Sequence, residues 1–152
     1  MEKFIVFRLG TEEFGLGISD VVEILKSQKV CPIPELPDFI SGVLTVRGDV
    51  IPMIDMRKRL LVAPLPKNER IIIVRAGGEK VGLVVDEVRE ITGFEKAEIT
   101  KPPGIFKGLK TEYLRGLGKK TDRVVILIDV KRFLTSEETM MLQESKETFE
   151  TA

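Results

Sequence analysis

The sequence predicts a mainly β protein made of two small antiparallel β-barrels packed side by side. Three observations carry this reading. The chain repeats itself in two places at nearly constant offset. Its apolar runs are short, β-branched and punctuated by glycine. Each repeat spans only about 65–75 residues, a unit with a thin core that favours closing a sheet on itself and so removing exposed edges.

The repeat appears when residues 4–24, FIVFRLGTEEFGLGISDVVEI, are laid over residues 71–91, IIIVRAGGEKVGLVVDEVREI, without a gap. Identities include Arg8/Arg75, Gly10/Gly77, Glu12/Glu79, Gly15/Gly82, Leu16/Leu83, Val21/Val88, Glu23/Glu90 and Ile24/Ile91. A second pair follows in the same order, residues 42–60 over 116–134, sharing Gly42/Gly116, Val50/Val124, Ile54/Ile128, Asp55/Asp129 and Leu60/Leu134. The offset grows from 67 to 74, so the second copy has the longer central connection. Self-similarity at fixed order is the mark of a duplicated unit.

The elements follow in chain order. Phe4–Leu9 and Ile71–Ala76 are β-branched and aromatic and read as strands. The turns at Gly10–Glu13 and Gly77–Lys80 use glycine for the positive φ of tight hairpins, and Phe14–Ile18 and Val81–Val85 return. Ser19–Leu25 reads as a short helix, with Asp20 and Glu23 at capping-box spacing. Pro37–Ser41 reads as a single turn. Asp49–Ile54 and Arg123–Ile128 are strands, each ended by an Asp able to cap a short helix. Gly116-Leu117-Gly118 reads as a loop. Ser136 and the acidic pair Glu137–Glu138 open a C-terminal helix over residues 136–149. The division expected is a first barrel over 1–66, a second over 67–134, with strand exchange between them left open, and an acidic helix and tail over 135–152. Pro64 and Pro66 stiffen the linker.

Composition narrows the function. Of 152 residues, 43% are apolar, and 24 basic groups cancel 24 acidic ones. No positive excess is available to neutralise phosphates. Histidine is absent, which removes the usual general base and the commonest metal ligand. The lone Cys31 cannot form an internal disulfide or a thiolate cluster, and beside Pro32 it reads as a small packed residue. Neither a GxGxxG nor a GxxxxGK[ST] pattern occurs, so nucleotide binding has no support. Asp86, Glu87 and Glu90 lack EF-hand spacing and read as a solvated face. One cysteine, no signal peptide and no run of about 20 apolar residues fit a cytoplasmic protein. No cofactor and no catalytic activity are expected.

Duplication also sorts structural from functional positions. Features in both copies are expected to make the fold, and features in one copy are better functional candidates. Arg47-Gly48 is the clearest of the latter, because the aligned residues are Thr121-Asp122. An arginine on a glycine turn can present five donors to a carboxylate or carbonyl. Glu23 recurs as Glu90, but its neighbours Val22 and Arg89 differ. Gly42 and Gly82 have counterparts and are expected to permit a turn or close packing.

Taken together, FIVFRLGTEEFGLGI, VVEI, PELPDFISGVLTVRGDVIPMIDMRKRL, VGLVVDEVREI, TEYLRGLG and ILIDVKRFLTSEE resemble the CheW-like domain family. The most specific element is GVLTVRGDVIPMIDMR, similar to the family core G-V-x-N-L-R-G-x-x-x-P-[IV]-[IV]-D-[LM]. Here Thr45-Val46 replace the usual Asn-Leu and Arg-Gly is intact. The resemblance implies two five-stranded SH3-like barrels, no catalysis and no cofactor. It implies two partners: the helical signalling tip of methyl-accepting chemoreceptors, and the regulatory domain of the histidine kinase CheA. The receptor helix would lie in an apolar groove between the barrels. By motif, its contacts would be Val21, Glu23, Gly42, Arg47, Gly82, Val88 and Ile91, with Glu23 and Arg47 as the polar pair, bonded either to each other or to the receptor. Kinase docking would use barrel ends, at Pro37 and Phe39 in the first and Leu109 and Leu117 in the second. The adaptor would be recruited to membrane-associated receptor arrays without entering the membrane.

Within the resemblance, a CheV-like scaffold would carry a receiver domain, and a CheA fragment would belong with a phosphoryl-accepting His and an ATP-binding domain. Neither is present, which favours a stand-alone adaptor. A nucleic-acid-binding barrel would use stacked aromatics in a basic groove. This chain has no Trp, one Tyr and zero net charge.

Overall fold

A computed structural model describes residues 1–101 and 113–132. The expected C-terminal helix, and Leu109, lie outside the described residues.

Continuous apolar runs such as FIVF and IIIV, rather than strict alternation, imply strands covered on both faces, and the fold shows why. The strands are β1 (Glu2–Leu9), β2 (Glu12–Gly17), β3 (Val21–Lys26), β4 (Ile40–Val46), β5 (Asp49–Asp55), β6 (Arg70–Ala76), β7 (Glu79–Val85), β8 (Glu87–Phe94), β9 (Ile99–Thr100), β10 (Leu114–Lys120) and β11 (Arg123–Ile128). One short helix, α1 (Met56–Arg59), follows β5. The strands form two sheets, ordered β8-β1-β2-β11-β10-β9 and β3-β6-β7-β5-β4. These are two small barrels of the SH3-like type; the first gains a sixth strand from the two-residue β9.

The sheets divide by strand rather than at residue 66. Hairpin β1–β2 continues into β11 through a parallel pairing, Phe14↔Ile126 to Leu16↔Ile128. Hairpin β6–β7 joins β5 in the same way, Met53↔Gly82 to Asp55↔Val84. Each barrel therefore takes its opening hairpin from one copy and its later strands from the other. The irregularities are duplicated too. Register shifts leave Val22 and Arg89 as extra residues at equivalent places, and likewise Ser41 and Arg115. Paired bulges at matching positions mark the same local bend in both copies.

Three apolar clusters result. Phe4, Val6, Phe94, Val125 and Leu127 fill the first barrel, and Val46, Ile51, Met53, Ile71, Ile73 and Val84 fill the second. A larger central cluster lies between them, including Phe7, Phe14, Ile72, Leu83, Leu117 and Ile126. Alternate residues of one strand serve different clusters: Ile71 and Ile73 face the second barrel, Ile72 and Val74 the centre. This is the period of two expected of a strand with both faces buried.

Several sequence expectations need correction. Ser19–Leu25 is not helical: a 3-10 turn at Ile18–Asp20 leads into β3, where half-buried and exposed residues alternate. The β-branched Val21, Val22 and Ile24 suit a pleated edge better than a helix. Gly116-Leu117-Gly118 lies inside β10, not in a loop. Cys31 is exposed; its backbone does the structural work, exchanging two 2.9 Å hydrogen bonds with Val43. The Asp caps hold. Asp55 accepts from the backbone of Arg57 and Lys58, and Asp129 from that of Lys131.

Candidate interaction surface

The site begins with the hairpin joining β4 to β5. Val46 pairs with Asp49, so only Arg47 and Gly48 make the turn, with φ of 50° and 85°. Two positive φ values define a type I′ turn, which suits the twist of the flanking strands. Glycine adopts that conformation freely. Arginine does not, and holding it there costs backbone strain of a kind that concentrates at functional positions.

The Arg47 side chain folds over to β3. Its Nε donates to Glu23 Oε2 at 3.1 Å and its Nη2 to Oε1 at 3.2 Å. β3 and β4 are the two ends of the five-strand order, so this fork closes the seam of the second barrel. The Cys31–Val43 bridge closes the same seam further along. The hydrogen bonds from Arg47 hold the Glu23 carboxyl below its usual range, and Glu23 in turn raises the Arg47 guanidinium. Arg47 is 77% exposed and Glu23 23%. Solvent screens such a pair, so its contribution to stability is small. It presents a pre-oriented guanidinium to the surface.

The second copy has a counterpart with a different layout. Glu90 pairs with Arg123 at 2.7 Å, and Arg123 also forks onto Glu13 at 2.8 and 3.0 Å. Its cation thus stands on the first residue of β11 instead of the turn tip. The pairs that join neighbouring strands are reversed in sign: Glu13–Arg123 in one barrel corresponds to Lys80–Asp49, at 3.1 Å, in the other.

The remaining expected contacts are spread over the surface and the interior. Val21 and Val88 are half-buried against the central cluster. Ile91 is 57% exposed on β8. Gly42 is buried with φ 139°, and a methyl there would strike the Cys31 carbonyl. Gly82 is an interior residue whose added methyl would meet Met53 and Ile71. Pro37 and Phe39 are half-buried, and the Pro37 carbonyl accepts from Ile40 N in the expected turn. Leu117 belongs to the central cluster at 5% exposure; its side chain offers no docking surface, because β10 turns it inward.

Sequence reasoning missed a buried ionic cluster. Asp86 is fully buried, not part of a solvated face. It accepts from Gly10 N at 2.6 Å, Leu65 N at 3.0 Å and Arg57 Nη1 at 2.7 Å. Arg57 also bonds Asp55 at 2.7 Å and Glu69 at 3.0 Å. Burial opposes charge on Asp86, but these donors outweigh it and hold the carboxyl below its ordinary range. Asp86 sits where the chain passes from β7 in one sheet to β8 in the other. A signal existed: the aligned residue is Ser19, so the carboxylate occurs in one copy only. Among the described residues, no group of His, Cys, Asp or Glu is placed to hold a metal, and no helix is long and apolar enough to cross a membrane.

Fold and site together define a duplicated double-barrel β protein whose seam carries an exposed arginine–glutamate fork on a strained hairpin tip. Residues 3–138 match the CheW-like domain, and the chain belongs to that family. It is 36% identical to the chemotaxis protein CheW of Klebsiella aerogenes, over 93% of this chain and 86% of that one. Against chemotaxis protein CheW of Bacillus subtilis the identity is 34%, over 90% and 88%. The crystal structure of the scaffolding protein TtCheW from Thermoanaerobacter tengcongensis superposes with a TM-score of 0.83 at 36% identity, covering 90% of each chain.

Proposed function

We propose that this chain is a non-catalytic chemotaxis adaptor in the cytoplasm, coupling chemoreceptor signalling tips to the histidine kinase CheA. The observation that carries the reading is the Glu23–Arg47 fork. A strained arginine kept on an exposed turn, in one copy only, contributes little to folding and is suited to recognition. Val21, Val88 and Ile91 would supply apolar contacts to a receptor helix, in the helix-in-groove manner, while the fork sets its register. Gly42 and Gly82 would act through the backbone and core that shape the groove. Pro37 and Phe39 would belong to the kinase-docking end, with Leu109 a further candidate. Holding both partners in one assembly lets a conformational change in the receptor bias the kinase between states.

The test is a pull-down of the purified chain against the CheA regulatory domain and, separately, a receptor signalling-tip fragment. Both are expected to bind, with Arg47→Ala losing the receptor tip and retaining the kinase domain. A folded chain that binds neither partner would overturn the reading.

A further inference from the structure

A second arginine of α1 joins the two barrels. Phe39 and Tyr113 are separated by 74 residues, the offset of the second repeat pair. Each stands one residue before a strand, β4 and β10 respectively. Each also makes the same backbone bond: Asp55 N donates to Phe39 O at 2.8 Å, and Asp129 N to Tyr113 O at 2.9 Å. The two rings are thus equivalent posts in different sheets. The guanidinium carbon of Arg59 lies 5.3 Å from the centroid of each. That is within the range of cation–π attraction.

The arrangement is not reciprocal. The residue aligned with Arg59 is Phe133, and the one aligned with Arg57 is Lys131, which is exposed. One copy alone supplies both arginines, and they point α1 at two junctions. Arg57 fastens the helix to Asp86, at the β7–β8 crossing. Arg59 fastens it to the entries of β4 and β10.

We propose that Arg59 is a positioning residue that couples the two sheets: by lying over both Phe39 and Tyr113, it transmits a displacement of the Phe39 turn to the segment entering β10. This extends the reading of Pro37 and Phe39 as a docking end, giving a partner seated there a route to the other barrel. The coupling itself needs no partner, so its failure and the failure of the docking reading are separable.

The experiment is a double-mutant cycle read by amide hydrogen exchange on the full chain. The reporter is the Asp129 amide, bonded to Tyr113; Ile72 and Leu83 amides serve as references for global stability. Phe39→Leu is expected to speed exchange at Asp129 by roughly three- to tenfold, the scale of one partly buried cation–π contact, with the references unchanged. In an Arg59→Met background, Phe39→Leu should leave Asp129 unmoved. If Arg59→Met does not fold, Arg59→Gln replaces it. An Asp129 amide indifferent to Phe39→Leu, an equal response in both backgrounds, or a change shared by the references would each overturn the proposal.

Discussion

Replacing Asp86 tests the claim that a buried carboxylate fastens the crossing between the sheets. Asp86→Ala removes three hydrogen bonds. It leaves the backbone N–H groups of Gly10 and Leu65 without their acceptor and strips one partner from Arg57. Breaking a buried ion pair from one side costs about 3–5 kcal/mol, and a buried unsatisfied donor about 1–3 kcal/mol. Arg57 keeps Asp55 and Glu69, which moderates its share, so the expected loss is about 4 kcal/mol. Asp86→Asn separates the parts. Oδ2 takes both backbone donors and Oδ1 takes Arg57, so an asparagine oxygen can keep the former while its NH2 faces the guanidinium. A loss of about 2–3 kcal/mol is expected there. Urea denaturation followed by far-UV circular dichroism measures both, with unchanged m-values expected. Glu90→Ala is the control, within about 1 kcal/mol of the parent as an exposed pair. A loss below about 1 kcal/mol for Asp86→Ala, at unchanged m, would mean that Asp86 does not fasten the crossing. The acid limb gives a second reading. A carboxyl held below its unfolded value of about 3.9 contributes stability that is fully present above that value. The contribution vanishes as pH falls through the lower folded value. The parent and Asp86→Asn should therefore converge in stability under acid.

The remaining predictions concern the seam and the glycines. Arg47→Gly should raise the melting temperature, because glycine relieves the left-handed turn position, and yet abolish binding of the receptor tip; a fall in both would mean the fork matters for folding. Gly82→Ala should destabilise by about 1–3 kcal/mol through overpacking against Met53 and Ile71, and Gly82→Ala with Met53→Ala should recover part of that loss in a denaturant cycle. Gly42→Ala should loosen the Cys31–Val43 bridge, read as faster exchange of the Val43 amide than of Ile72. Val21→Met is expected to crowd the groove and weaken the receptor tip in titration calorimetry, with circular dichroism unchanged; equal affinity would remove Val21 from the site.

The legible parts were local. Glycine turns, hairpins and the Asp55 cap depend on a few neighbouring residues, and the structure keeps them. The family motif picks out Glu23 and Arg47 as a polar pair, bonded to each other or to a receptor, and the structure shows the mutual bond. What failed to show was non-local. Leu117 reads as a loop residue between two glycines, yet it is core because β10 pairs with β11. Asp86 reads as one of several surface acids until the turn at Gly10, the linker at Leu65 and the helix at Arg57 converge on it.

Duplication, a mainly β fold, the lack of histidine and an arginine turn in one copy only can all be read from the residues in order. Those properties reside in composition, period and alignment. Folding alone chose which hairpin completes which barrel, since copies this similar offer equivalent strand edges and the choice depends on contacts distant in sequence. It likewise decided that one acid is buried and another exposed, because burial is set by what the rest of the chain brings against a residue.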